Sequence, residues 1–350
     1  SAQGQAGLAQ LVEHLICNQR VGSSSLSAGT IFLYISHFVK TLLAKASCLW
    51  LGSPSAPMVR FLLCIFCRLP RLGKKENSMP KAPHYILDNF TSTIFAGNPA
   101  AVCLLARFPK DAVMRKIAME NGYSQTAFVR SKNGFNPEVD EIYTLRWFTP
   151  TTEVDLCGHA TMAASYVLFN EIGVQGNHLR FDTKSGILDV QQTDSGSLTL
   201  EFPAREVVPV DLRASVEPCL GEAVLSTAAS GPTLIAELAN EVSVAQLSPN
   251  IDKIAQTLDY DGLIVTARGD KHDFVSRFFC PRLGITEDPV TGSAHCGLAP
   301  FWAAKLGKTQ FEARQVSKRG GELAVRLEKN KVYLTGEAKL YLRGEIFYED

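Results

Sequence analysis

The sequence predicts an α+β protein of two similar lobes, each a buried helix wrapped by a sheet. Three observations carry this. First, 46% of the residues are hydrophobic and 20% charged, enough apolar chain for a sizeable core. Second, period-2 segments outnumber helical ones, yet two helical segments are apolar all round and so belong inside. Third, the chain repeats itself. Leu145–Pro150 (LRWFTP) and Ser276–Pro281 (SRFFCP) align Arg146 with Arg277, an offset of 131. That is close to half of the 272 residues from Met79 onward. Each copy then runs through a short acidic loop into an Ala-rich segment: Cys157-Gly158-His159-Ala160-Thr161 in one, Asp288-Pro289-Val290-Thr291-Gly292-Ser293-Ala294-His295 in the other.

The elements follow in order. Alternation predicts strands at 83–90, 100–105, 125–130 and 141–148. A helix fits 109–121, with Pro109 in its first turn, i,i+4 pairs Val113/Ile117 and Met114/Ala118, and Asn121-Gly122 to end it. A second helix fits 158–171, and Met162, Tyr166, Val167 and Phe169 make it too apolar for a surface. Strands follow near 178–183, 186–192 and 197–202. In the second half, strands are expected at 232–239, 262–267 and 273–280, a short helix at 251–258 and a buried helix at 292–306. Pro300 should kink or divide that last helix, since an interior proline costs about 3 kcal/mol. Strands near 314–318, 322–328, 331–336 and 339–348 close the chain. The lobes are expected to span 79–195 together with the C-terminal strands from about 335–350, and 196–334.

Residues 1–78 differ in kind. They hold eight Lys and Arg against two Glu, a net +6 that the rest of the chain balances to zero. Residues 1–30 are Gly/Ser/Ala/Gln-rich, the apolar runs 31–43 and 58–69 are short and interrupted by Lys40, Arg60 and Arg68, and Cys64 and Cys67 form a lone CxxC. The expectation is a non-native, disordered extension that does not fold, with the folded chain starting at Met79; a presequence or membrane-surface anchor is the alternative.

Zero net charge argues against a nucleic-acid partner. No uncharged apolar run of 18 residues suggests a membrane span. Nine cysteines, an odd number without zinc spacing, favour free thiols in a reducing, cytoplasmic setting over a disulfide framework.

The two loop-to-helix junctions are the strongest candidates for chemistry. A helix start offers unpaired N–H groups and a positive dipole end, which suits a carboxylate substrate. Cys157 and His159 in the first junction, and Asp288 and His295 in the second, are acid/base candidates. Taken singly each has a plain structural role. A Gly-His can merely cap a helix, Cys157 can be a small buried apolar residue, and Asp288-Pro289 can simply turn the chain. His295 and Cys296 lie inside the helix and read as packing residues. Occurrence at duplicated positions favours the chemical reading.

The segments GNPAAV (97–102), SQTAFV (124–129), LRWFTPTTEVDLCGHAT (145–161) and SRFFCPRLGITEDPVTGSAH (276–295) resemble the PhzF family of phenazine-biosynthesis-type isomerases, which share the diaminopimelate epimerase fold. The resemblance covers about 79–350. It implies two lobes, each a central helix in a largely antiparallel β-barrel, with the site between them, no cofactor, no metal, a small carboxylate-bearing substrate and commonly a homodimer. It implies substrate contacts at Gly158, His159, Gly292, Ser293 and Asn98, and Asp288 among the catalytic residues. The family's proton-shuttling glutamate sits in a Ser-Glu-Thr motif that here reads Ser124-Gln125-Thr126. An amide cannot give and take a proton near neutral pH. The family's dihydro-hydroxyanthranilate isomerisation is therefore not expected unchanged. Gln125 is expected to orient substrate while Asp288, assisted by His159, moves the proton; a ligand-binding relative without activity is the alternative. Cys157 resembles one of the two thiols of the epimerase and proline racemase relatives, but the second lobe has no cysteine at the matching place, which leaves a Cys157/Asp288 pair as the conceivable variant.

Overall fold

The computed structural model describes residues 79–139 and 142–349. The expectations for residues 1–78 lie outside the described residues. Asn77–Asp350 forms a compact unit.

The first lobe is built on strands β1 (Lys81–Asn89), β2 (Asn98–Leu105), β3 (Thr126–Arg130), β4 (Ile142–Phe148), β5 (Glu153–Val154), β6 (His178–Thr183), β7 (Gly186–Gln192) and β8 (Leu198–Pro203). Helix α1 (Asp111–Asn121) lies between β2 and β3, and helix α2 (Gly158–Tyr166) between β5 and β6. The second lobe uses β9 (Val208–Pro209), β10 (Ser226–Ser230), β11 (Thr233–Glu237), β12 (Gly262–Arg268), β13 (Phe274–Cys280), β14 (Ile285–Asp288), β15 (Gln310–Gln315), β16 (Gly321–Glu328) and β17 (Lys331–Gly336). Its helices are α3 (Arg213–Leu220), α4 (Glu241–Ala245), α5 (Ile251–Thr257) and α6 (Gly292–Leu306). The last strand, β18 (Ala338–Phe347), pairs antiparallel with β1.

The two sheets have one topology. The first runs β18–β1–β2–β3–β4–β6–β7–β8, with β2/β3 and β4/β6 parallel and the other pairs antiparallel. The second runs β9–β10–β11–β12–β13–β15–β16–β17, with β11/β12 and β13/β15 parallel in the matching places. An antiparallel β8/β17 pair joins them. The duplication seen in two short motifs thus extends to every strand of both lobes.

Helices α2 and α6 are the apolar cores of their lobes. In α2 every residue but Tyr166 is buried. Met162, Leu200, Leu334, Phe90 and Trp302 belong to a core cluster that runs through both lobes. Helix α1 packs Met114 and Ala118 against the outer face of the first sheet, on Cys103, Phe128 and Phe148. In the second lobe α3 and α5 do the same with Val216, Leu220 and Ile254 on Leu234, Leu263 and Phe279.

Three expectations need correction. Pro300 does not divide the last helix; α6 is continuous from Gly292 to Leu306. A proline removes an N–H and frees the carbonyl four residues earlier. Here that carbonyl, on Cys296, accepts the Arg205 N–H at 2.9 Å, so no buried acceptor is stranded. The helix expected over 158–171 is α-helical only to Tyr166 and continues as a π-helical turn, Val167–Ile172, ended by Gly173 in the left-handed region. The strand expected at 314–318 is β15, and it starts four residues earlier at Gln310, where exposed and buried residues alternate.

Candidate active site

Asn98, the first residue of β2, is fully buried. It is aimed by its neighbour. Gly97 sits at φ +63°, and a Cβ there would lie 2.1 Å from the Asn89 carbonyl oxygen, so only glycine fits. Arg319 pins the same turn by donating to the Gly97 and Ala96 carbonyls and to Asp88 Oδ1. Asn98 Nδ2 then donates to Asp288 Oδ1 and to the Val290 carbonyl, both at 2.8 Å, and lies 3.3 Å from His159 Nδ1. One amide therefore joins the two loop-to-helix junctions.

His159 is the second residue of α2 and almost fully buried. Both N–H groups of the Asn98 amide are taken by Asp288 and Val290, so the donor left for Nδ1 is the Cys157 thiol at 3.7 Å. Its Nε2 lies 3.4 Å from Ser124 Oγ. These partners put the ring proton on Nε2. Burial holds the imidazole down at about 3, so His159 is neutral near pH 7 and acts as a hydrogen-bond donor rather than a base.

Asp288 ends β14 and is buried. Its Oδ2 accepts from Thr291 Oγ1 at 2.5 Å. Burial pushes its carboxyl up to about 6; the bonds from Thr291 and Asn98 oppose that rise, and the charge of Glu287 adds to it. Asp288 can thus hold or release a proton near neutral pH, as an acid/base group requires.

The helix starts meet at two glycines. A Cβ on Gly158 would lie 3.7 Å from Gly292 Cα, and one on Gly292 3.8 Å from Gly158 Cα, with the Phe90 and Phe202 rings beside them. Thr291 makes no side-chain cap on α6, while at the start of α2 the Cys157 thiol lies against the His159 and Ala160 N–H groups without forming a full cap. Cys157 is buried, and its thiol is pushed up to about 12 by burial, which leaves little thiolate for nucleophilic work. Ser293 is half-buried, and no hydrogen bond ties it to Asp288 or His159. Gln125 lies just before β3, beside Ser124; its Oε1 is buried without a partner. His295, fully buried, bonds the Thr291 carbonyl through Nδ1 and packs on Phe274.

Sequence reasoning missed the supports. In each lobe an arginine clamps the acidic residue of the loop in a bidentate pair. Arg146 bonds Glu153 at 2.7 and 2.8 Å, and Arg277 bonds Glu287 at 2.7 and 2.9 Å. The arginines carried the repeat at an offset of 131; their glutamates, at 153 and 287, are 134 apart, and the three extra residues of the second loop hid the match. Fully buried Gln315 is a second support, bonding the Asp288 carbonyl and Thr291. Among the described residues no cluster of three His, Cys, Asp or Glu has metal-binding geometry. No described helix is long and apolar enough to cross a membrane.

The burial of these groups fixes the sign of the acid response. His159 and His295, held down at about 3 and about 4, bind protons more weakly folded than unfolded. Their contribution is complete above about pH 6.5 and is lost as pH falls toward 4 and 3. Asp288, raised to about 6, contributes oppositely, favouring the fold as pH falls from 6 to about 4. Two histidines outweigh one carboxyl. The net expected loss between pH 7 and pH 4 is roughly 4 kcal/mol from these three groups, at about 1.4 kcal/mol per proton per pH unit. Urea unfolding midpoints across that range check it, and Asp288→Asn should steepen the loss. Stability that is flat or rising toward pH 4 would contradict it.

The family model described as phenazine biosynthesis-like protein matches residues 87–344. An uncharacterized isomerase of Pseudomonas aeruginosa is 44% identical over 260 residues, covering 74% of this chain and 96% of that protein. The crystal structure of a phenazine biosynthesis protein of the PhzF family from Enterococcus faecalis is 41% identical with a TM-score of 0.72, covering 77% of this chain and all of the other. A hydroxyproline epimerase from Agrobacterium vitis, at 10% identity and a TM-score of 0.51 over 77% of this chain and 93% of its own, shares the fold alone.

Proposed function

The chain belongs to the phenazine biosynthesis-like (PhzF) family, and from that premise we propose that it is an isomerase or epimerase that moves a proton on a small carboxylate-bearing metabolite. The observation that carries this is the Asp288 carboxyl, buried and held at about 6, tied through Asn98 to neutral His159 where the starts of α2 and α6 touch. Because Gly158 and Gly292 are in contact, first-turn N–H groups of both helices lie within the span of one small ligand. A substrate carboxylate bound there meets two positive dipole ends. Proton abstraction beside that carboxylate builds negative charge that the same N–H groups and the His159 Nε2–H stabilise. Asp288 takes the proton, exchanges it with solvent and delivers a proton at the second position; Asn98 and Thr291 hold its oxygens through both steps.

A second reading has a specific observation behind it. Gln125 stands where the family motif has glutamate, and its amide carries no proton that it could transfer. A relative that binds the ligand without turning it over would have this residue. Deuterium wash-in separates the two. Incubation of candidate carboxylates with the full chain in D₂O should place deuterium at the isomerised carbon. Ligands that raise the melting temperature without acquiring deuterium would favour the binding protein and sink the isomerase.

A further inference from the structure

The two lobes obey one topology, so a place where they part marks something the fold does not require. The acidic loop, the helix cap and the glycine align at an offset of 134: Glu153 with Glu287, Cys157 with Thr291, Gly158 with Gly292. On that offset Asp288 corresponds to Val154. The parallel strand pairs give a third correspondence. In the first lobe Thr144, two before Arg146, pairs with Asp182; in the second, Val275, two before Arg277, pairs with Arg314. The next residues, Thr183 and Gln315, therefore occupy matching positions.

At these positions the lobes differ completely in chemistry. The first has Val154, Cys157 and Thr183, and the Thr183 hydroxyl donates to the Gly186 carbonyl and accepts from the Ser185 N–H, both within its own hairpin. The second has Asp288, Thr291 and Gln315 joined in one network. Gln315 Oε1 accepts the Thr291 N–H at 2.9 Å, while its Nε2 donates to the Asp288 carbonyl at 2.6 Å and lies 3.3 Å from Thr291 Oγ1. Donation from Nε2 occupies a lone pair of that hydroxyl, so the hydroxyl proton is turned to Asp288 Oδ2, 2.5 Å away. Gln315 is fully buried, and an amide there needs partners at both ends. The first lobe folds with none of this.

We propose that Gln315 is a positioning residue for Asp288: it commits the Thr291 hydroxyl as a fixed donor to the carboxylate that moves the proton. The proposal rests on the assignment of that role to Asp288. Gln315 acts through Thr291 and touches no substrate itself. The other ionisable groups about Asp288 are Glu287, held by Arg277, and the Cys157 and Cys280 thiols. His159 lies behind Asn98, and His295 faces the Thr291 carbonyl. The thiols and imidazoles are uncharged from about pH 5 to 8. Within that window Thr291 and Asn98 are the neutral donors whose loss moves Asp288 without changing a charge, and of the two only Thr291 is bonded by Gln315.

The test is a ¹³C-carboxyl titration of Asp288 in the full chain, its resonance identified by its loss in Asp288→Asn. Thr291→Val, which keeps shape and deletes the hydroxyl, should raise the midpoint by about one pH unit or more; Thr291→Ser should leave it near the native value. Gln315→Met, similar in volume without the amide, should also raise it. The double variant Gln315→Met/Thr291→Val should go no higher than Thr291→Val alone. A folded Gln315→Met with the native midpoint overturns the proposal, as does a fully additive double variant. Should Gln315→Met not fold, Thr291→Val decides: an unmoved midpoint overturns the relay, and a rise absent from Thr291→Ser supports it. The titration needs no substrate, so its outcome stands apart from that of the wash-in measurement.

Discussion

Asp288→Asn is expected to lower the rate of deuterium wash-in by roughly 10²–10⁴-fold, the usual worth of general acid–base catalysis. The substitution keeps shape and removes only the titrating group. The new amide could still face Thr291 and Asn98, the partners Asp288 has now. A buried carboxyl held at about 6 is ionised at pH 7 at some cost in burial, so a neutral amide should leave stability at pH 7 unchanged or higher. The pairing of lost exchange with an intact urea midpoint is the signature. Full exchange in the variant would move the proton to another carrier, of which Cys157 is nearest at hand. Its thiol, pushed up to about 12, would be a slow one.

The second large effect is a gain. Gln125→Glu restores the family's Ser-Glu-Thr motif at Ser124-Gln125-Thr126, and is expected to raise dihydro-hydroxyanthranilate isomerisation by roughly 10²–10⁴-fold over the native chain. The environment suits a carboxyl. The buried Oε1 of Gln125 has no partner, so an acid there is desolvated and titrates above its ordinary value, toward neutral pH. Steady-state rates with and without the substitution decide it. Equal rates would show that position 125 does not reach the substrate. A silent native chain with an active variant would favour the ligand-binding reading.

Most of the architecture was legible because two signals agreed. Alternation located most of the strands, and the repeated Arg-aromatic-Phe-Pro run said that they belong to two copies of one unit. What was illegible lacks contrast. Strand β10, Ser-Thr-Ala-Ala-Ser, has no large apolar residue to alternate, because α6 crosses it closely; a Cβ on Gly297 would lie 2.2 Å from Ser230 Oγ. Helix α3 carries Pro218 and escaped a periodicity search. The chemistry-bearing residues stood out as polar side chains at two helix starts. Their supports did not, since Gln315 and Arg319 are ordinary strand and loop residues whose partners lie far away in the chain. The distance from Arg319 to Asp88 is 231 residues, beyond any local pattern.

Strand β18 makes the first lobe a structure in two instalments. Its mate β1 begins at Lys81, yet the pairing that runs from Lys81 with Phe347 to Asn89 with Ala338 needs residues synthesised after the whole of the second lobe. In the second lobe the corresponding place beside β10 is filled by β9, only about twenty residues upstream. On the ribosome, therefore, the N-terminal lobe is the later of the two to be completed. Until residues 338–347 emerge, one edge of β1 offers unpaired N–H and C=O groups to any neighbouring strand. Closing that gap joins ends about 250 residues apart, a loop whose entropy cost grows only logarithmically with length. The delay is thus one of timing rather than of stability, and the carboxy-terminal strand is the clasp that ends it.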